Sequence, residues 1–283
     1  MNALSWLIYL GIIRIAVSNS STRSTLLSDA RGDFSDLIIE TDDIDEIEHY
    51  LNPSKVCEVK PMGPSFPGGE VLIIFDYDNV LVEAKGTEFG FDFWFQAMTK
   101  QLLNHGFSRE LTLKTLLPIY EEIQETSAQV KLVDSRMPQL IENFKQKSYP
   151  LLVLTIRPPK LIKTIFKQMN SVGINISEGN HFLRSVNPHV INYALEGSGA
   201  TYQDGVLFCG RYNKGDVLQI FLRAIPHPPF RRIVFIDDKL SNLVAVERIT
   251  QHNRIDFVGL RYNVTDPRGW HYHLDEQSKK LLS

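Results

Sequence analysis

The sequence predicts an α/β protein with a mostly parallel sheet and helices on both faces. Three observations predict it. Short, wholly apolar runs at 71–75 (VLIIF), 151–154 (LLVL) and 233–236 (IVFI) have the length and aliphatic content of strands buried on both sides. Between them lie segments whose apolar residues recur at helical spacing, an alternation that favours right-handed parallel crossovers. Polar residues stand where such runs stop: Asp76, Thr155 and Asp237 close strands, and Lys214 opens a helix. In open α/β sheets the carboxyl ends of the strands are where ligands bind.

The elements follow in chain order. Residues 1–18, MNALSWLIYLGIIRIAVS, pair an apolar stretch with the small residues Ala16, Val17 and Ser18, and read as a secretory signal peptide. The competing reading is an uncleaved anchor or a mistaken start, because the stretch has no basic residue before it and Arg14 interrupts it. It is short for a membrane span, so no stable span is expected. Residues 19–32 are rich in Ser and Thr, as in a mature leader. Residues 33–48 carry eight acids and no Lys or Arg; Ile44 and Ile47 suggest an amphipathic helix capped by Thr41 or Asp42. Residues 52–70, with four prolines and three glycines, read as a connector.

From 71 onward the chain alternates. Strand 71–75 is followed by helices at 93–104 and 111–125, then by a helix capped by Asp134 or Ser135 with Met137, Leu140, Ile141 and Phe144 on one face. Strand 151–154 leads to a helix at 160–170. Further strands are expected at 205–209, 233–236 and 255–260, with helices at 214–224 and 242–251 between them.

Composition bounds the function. A chain of 283 residues, 43% hydrophobic, can bury a sizeable core in one large domain without disulfides. A net charge of −3 leaves no basic footprint, so nucleic acid is not an expected partner. Two cysteines, Cys57 and Cys209, allow one bridge at most and have no metal-site spacing. There is no P-loop, GxGxxG, HExxH or GxSxG motif, and the close pair His271 and His273 reads as surface. The sequence leaves the oligomeric state open.

Asp76 and Asp78 taken alone are equally a solvated turn. A calcium loop fits poorly, since counting from Asp76 puts Leu81 at the sixth position and Thr87 at the twelfth. With the other signals the set has a chemistry. A carboxylate can attack phosphorus and form an aspartyl phosphate. A divalent cation must then separate carboxylate from phosphate, and Mg²⁺ needs only one or two carboxylates, such as Asp76 and Asp237. Thr155 and Lys214 suit phosphoryl oxygens, and Asp78 can protonate a leaving alcohol and then activate water. Arg157 has the fork for a further phosphate contact, or simply pairs with an acid. Trp94 and Phe95 read as helix core or as a substrate wall.

In this order FDYDNV (75–80), LTIRPP (154–159), Lys214 and FIDD (235–238) resemble the four motifs of the haloacid dehalogenase (HAD) superfamily, over about 71–262. The resemblance implies a Rossmann-like core and Mg²⁺-dependent hydrolysis of a small phosphorylated substrate. Residue by residue it makes Asp76 the nucleophile and Asp78 the acid–base. Asp78 also offers its backbone carbonyl to the metal. Thr155 and Lys214 contact phosphate, Asp237 is a metal ligand, and Asp238 and Asn242 stand behind it. Val80 replaces the commoner Thr, and the second aspartate argues for a phosphatase over a dehalogenase. Such a fold leaves room for a small helical cap at about 84–148 within a core of 71–283, after a leader and connector at 19–70. The acidic helix before YLNP, the Trp94-Phe95 pair, LTIRPP and GLRYN (259–263) are also similar to an uncharacterised bacterial family of HAD-like exported proteins. The Thr155-x-Arg157 pairing is similar to secreted bacterial acid phosphatases. Rival readings are a non-catalytic binding module on the same fold and a phosphotransferase to an alcohol acceptor.

Overall fold

The computed structural model describes residues 37–51, 68–184, 186–210, 212–225, 230–276, 278 and 281. The signal-like residues 1–18 and Cys57 lie outside them. The described chain begins with strand β1 (Leu37–Thr41) and helix α1 (Glu46–Leu51). Strand β2 (Val71–Phe75) and the short β3 (Val82–Ala84) follow, then helices α2 (Asp92–Asn104) and α3 (Arg109–Thr126). Next come β4 (Val130–Leu132), α4 (Met137–Gln146), β5 (Leu151–Thr155) and α5 (Ile162–Ser171). The second half runs α6 (Pro188–Ala194), β6 (Thr201–Gln203), β7 (Val206–Phe208) and α7 (Lys214–Ala224). It closes with β8 (Arg232–Asp237), α8 (Leu240–Asn253), β9 (Asp256–Tyr262) and α9 (Asp266–His271).

Seven strands form one Rossmann-like sheet in the order β1-β9-β8-β2-β5-β7-β6, parallel except for the β6–β7 pair. The period-2 geometry of a strand explains the two cores. In β2, Val71, Ile73 and Phe75 enter one cluster while Leu72 and Ile74 enter the other. In β8, Val234 and Ile236 share the first cluster, and Ile233 and Phe235 the second. Helices α1 to α5 contribute to the first core and α6 to α8 to the second. From β2 the chain moves through β5 and β7 to one side and then crosses back to β8 and β9 on the other. The strand order therefore reverses beside β2, and the carboxyl end of such a switch point is where open α/β sheets bind ligands.

The insert between β2 and β5 is closed by an antiparallel β3–β4 pair, with α2 and α3 between its strands. Trp94 is fully buried and packs edge-on to Phe89, while Phe95 packs edge-on to Tyr120, so both aromatics serve the core of the insert. The C-terminal segment ties the insert down. Arg268 of α9 pairs with Glu83 and Glu88, and the Trp94 indole N–H donates to Ser278 at 2.9 Å.

Three local expectations are corrected. Residues 37–41, for which the sequence predicts no element of their own, form a strand paired with β9, and the helix expected directly after Thr41 or Asp42 begins only at Glu46. Leu37 and Ile39 are buried two residues apart, a strand period that the following acids obscured. Helix α4 is entered through an Asx turn, in which Asp134 accepts the Arg136 N–H at 2.8 Å, rather than by a side-chain cap. Strand β6 was not foreseen; three residues with one buried are too few to show a period.

The seating of α7 depends on Gly215. A Cβ there would lie 2.2 Å from the carbonyl oxygen of Ala245 on α8, a backbone atom that cannot yield. Gly215→Ala is expected to destabilise the protein by about 1–3 kcal/mol, the usual range for overpacking. Gly69→Ala, where the added atom meets nothing within 4 Å, is the control. Urea denaturation of the two variants measures the difference.

Candidate functional site

The switch point beside β2 collects side chains from four elements. Asp76 follows β2, Thr155 ends β5, Asp237 ends β8, and Lys214 opens α7 behind the N-cap Asn213. Lys214 is wholly buried. Its Nζ lies 2.5 Å from Asp76 Oδ1 and 2.7 Å from Asp237 Oδ2. An ammonium at this depth is tolerable only because two carboxylates face it; removing one partner of such a set typically costs about 3–5 kcal/mol. The Tyr77 N–H donates to Asp76 Oδ1 at 2.7 Å and fixes that carboxylate further.

The two adjacent aspartates differ in what they have left to offer. Asp237 is saturated: Lys214 donates to Oδ2, the Lys239 N–H donates to Oδ1, and Asn242 Nδ2 reaches both oxygens at 3.0 and 3.1 Å. Asp238 accepts from Asn79 Nδ2 at 3.2 Å through Oδ2, and its Oδ1 is buried without a hydrogen-bond partner. Such an orphaned acceptor costs about 1–3 kcal/mol. Asp76, Asp237 and Asp238 each bring one carboxylate oxygen within 4.8 Å of the others. Three clustered carboxylates, two of them on the buried Lys214 ammonium and the third with an unsatisfied oxygen, form a donor set that fits a hard divalent cation.

Burial pushes the Asp76 carboxyl well above the usual range; Lys214 opposes this, and Asp237 and Asp238 add to it. Burial likewise raises Asp238 to about 7, against the pull of Lys239. For Lys214 burial works against the charge, but Asp237 and Asp76 outweigh it and hold the ammonium above its ordinary value.

Asp78 faces a different partner. Arg157, almost wholly buried, donates from Nε to Asp78 Oδ2 at 2.8 Å and from Nη2 to Asp78 Oδ1 at 2.7 Å. Its Nη1 donates to Gln124 Oε1 at 2.5 Å and to Gln168 Oε1 at 3.3 Å. Arg157 thus pairs with an acid, as one of its two sequence readings has it. Thr155 is buried, and its hydroxyl accepts the Arg157 N–H at 3.1 Å.

Four residues passed over in the sequence complete the surroundings. Asn79 adopts φ 63°, the left-handed conformation that Asn tolerates, and lets the chain turn back so that its N–H reaches the Val82 carbonyl. Its side chain links Asp238 to Asp92 of α2. Asp92 also holds the Lys239 ammonium with both oxygens, at 3.1 and 3.0 Å. Gln124 of α3 is buried and bonds the Gly90 carbonyl. The Asp-Asn pair in the turn was a local signal for Asn79; the other three carried none.

The fold and site together define a Rossmann-like α/β protein with a buried acidic cluster at its topological switch point. The chain belongs to the family described as "Protein of unknown function (DUF2608)", whose model matches residues 40–276. Among its relatives is a protein of Chlamydia pneumoniae described as "Putative outer membrane protein", 23% identical over 194 residues, which are 69% of this chain and 70% of the relative. A Chlamydia muridarum protein with the same description is 24% identical over 191 residues, 67% and 68% of the two chains. A Rickettsia prowazekii protein described as uncharacterized is 25% identical over 201 residues, 68% and 69% of the two chains. No solved structure gives a significant match. No helix among the described residues is long and apolar enough to cross a membrane.

The raised Asp238 carboxyl makes a signed prediction. Below its unfolded value of 3.8 the group is protonated in both states and contributes no pH dependence. Between there and about 7 the unfolded chain ionises first, so the metal-free protein loses stability as pH rises. Mg²⁺ should therefore raise the melting temperature more at about pH 8 than at about pH 5, by linkage to the ionised carboxylates. Asp238→Asn should abolish most of that difference. Thermal melts with Mg²⁺ and with EDTA at the two pH values check both statements.

Proposed function

We propose that the protein is a Mg²⁺-dependent phosphomonoester hydrolase of the HAD type, working through an aspartyl phosphate on Asp76. The observation that carries this reading is the cluster of Asp76, Asp237 and Asp238 at the switch point of the sheet, the first two paired with Lys214 and one Asp238 oxygen unsatisfied. The order of motifs that resembles the superfamily supports it.

Asp76 and Asp238, with the backbone carbonyl of Asp78, are the residues assigned to hold Mg²⁺. Asp238 is preferred to Asp237 because Asp237 has already spent both oxygens on Lys214, Lys239 and Asn242. Asp237 then orients Lys214. When bound, the ion supplies positive charge that offsets the repulsion between phosphate and the carboxylates. Asp76 attacks phosphorus and the bond to the leaving oxygen breaks as Asp78 delivers a proton to it. Water then attacks the same phosphorus, Asp78 takes its proton, and the Asp76 carboxylate is released along with inorganic phosphate. Lys214 and the Thr155 hydroxyl stabilise the phosphoryl oxygens in both steps. Lys239 remains paired with Asp92 at the wall of the site.

Export is part of the proposal. It rests on the signal-like residues 1–18 and on the descriptions carried by the two chlamydial relatives.

The test is hydrolysis of p-nitrophenyl phosphate by residues 19–283, with Mg²⁺ and with EDTA. Mg²⁺-dependent turnover is expected, and Asp76→Asn should remove it by about a thousandfold or more, as loss of a nucleophile does. Lys214→Met should lower turnover at least a hundredfold, the scale of a lost oxyanion donor, and weaken folding. A folded wild-type protein that turns over no phosphomonoester in a broad panel would favour a binding module. Phosphate transferred to an added alcohol in preference to water would make it a phosphotransferase.

A further inference from the structure

Behind Asp78 lies a buried polar cluster that no motif of the sequence contains. Gln124 comes from α3 of the insert, and Gln168 from α5 on the face of the sheet. Gln124 Oε1 accepts from Arg157 Nη1 at 2.5 Å and from Gln168 Nε2 at 3.2 Å, while its Nε2 donates to the Gly90 carbonyl at 2.6 Å. Gln168 Oε1 accepts from the Tyr77 hydroxyl at 2.8 Å and from Arg157 Nη1 at 3.3 Å. The Arg157 guanidinium sits over the Tyr77 ring at 4.8 Å and near the Tyr120 ring at 5.8 Å. The planar fork is held from its far edge by two amide oxygens and from its faces by two rings. Its near edge then presents Nε–H and Nη2–H to Asp78.

We propose that Gln124 and Gln168 are positioning residues for the acid–base carboxylate: together with Tyr77 they hold Arg157 in the orientation that fixes the Asp78 carboxylate for proton transfer. The inference rests on the hydrolase reading above. It assigns the insert a part in positioning the acid–base group. Gln124 is fixed within the insert by the Gly90 carbonyl, in the loop between β3 and α2, and reaches Arg157 through its own oxygen, so the acid–base group is set by the insert as well as by the core. Both amides are nearly or fully buried, Gln124 at 1% and Gln168 at 5% exposure. Buried polar side chains of this kind persist where their network is complete.

Leaving-group dependence separates positioning from general damage. p-Nitrophenolate leaves readily without a proton, whereas an alkoxide needs one. kcat/KM reports the first phosphoryl transfer, where the acid acts. The variants are Gln124→Met, Gln168→Met and the milder Tyr77→Phe, which removes only the hydroxyl. In the two methionine variants kcat/KM for an alkyl phosphomonoester such as glycerol phosphate should fall about ten- to a hundredfold, a part of what general acid catalysis supplies. The value for p-nitrophenyl phosphate should fall less than about threefold, and Mg²⁺ affinity should hold. Tyr77→Phe should show the same selectivity at smaller size. Equal losses on both substrates, or no loss on either, in an active wild-type background overturn the positioning role and leave the hydrolase intact. A wild-type protein without Mg²⁺-dependent turnover overturns the hydrolase reading and this role with it.

Discussion

The site depends on one buried ammonium held between two carboxylates. Lys214 joins the ends of three elements, because Asp76 follows β2, Asp237 ends β8, and the lysine itself opens α7. None of these groups would survive burial alone; the desolvation of an unpaired charge is several kcal/mol even after relaxation. Together they form a cross-brace at the one place where the parallel strands diverge. The packing respects it: Gly215, the next residue, lets α7 press against the backbone of α8 with no side chain between. The lysine's depth is thus a result of helix packing as much as of charge.

From that brace follows the unequal division of labour between Asp237 and Asp238. The first points back toward Lys214 and Asn242 and has no acceptor capacity to spare for a ligand. The second, one residue on, retains a buried oxygen with no donor. Asp237 is the last residue of β8 and Asp238 the first beyond it, so the two carboxylates meet different donors although an oxygen of each lies within 4.8 Å of the other. Fully ionised, the cluster would concentrate negative charge in a buried site, and burial accordingly raises the Asp76 and Asp238 carboxyls.

A second polar system lies on the other side of the loop after β2. Asp78 answers to Arg157, and Arg157 to amides from the insert and from α5. The two systems meet at Asp76-Tyr77-Asp78, where successive side chains belong alternately to the lysine brace, the glutamine cluster and the arginine fork. A loop three residues long is thereby held from three directions. The C-terminal segment adds to this through Arg268 and Ser278, which fasten β3 and α2.

The sequence by itself determined the α/β class, the central strands and the places where polar residues leave them. Burial on both faces of a parallel sheet demands continuous apolar runs, and VLIIF and LLVLT announce themselves in any reading. The candidate residues Asp76, Thr155, Lys214 and Asp237 were legible for the same reason, since each marks the point where such a run stops or a helix begins. Strand β1 was hidden because an edge strand of five residues shows only one buried alternation, next to acids that imitate a helix start. Only the tertiary structure decided which oxygen of which aspartate is left unsatisfied, and that Arg157 faces Asp78. It alone brought Asn79, Asp92, Gln124, Gln168 and Lys239 to the site. Those outcomes depend on contacts between residues up to 159 positions apart, as between Asn79 and Asp238. Hydrogen-bond saturation is a property of the packed geometry, and no local pattern of residue types encodes it.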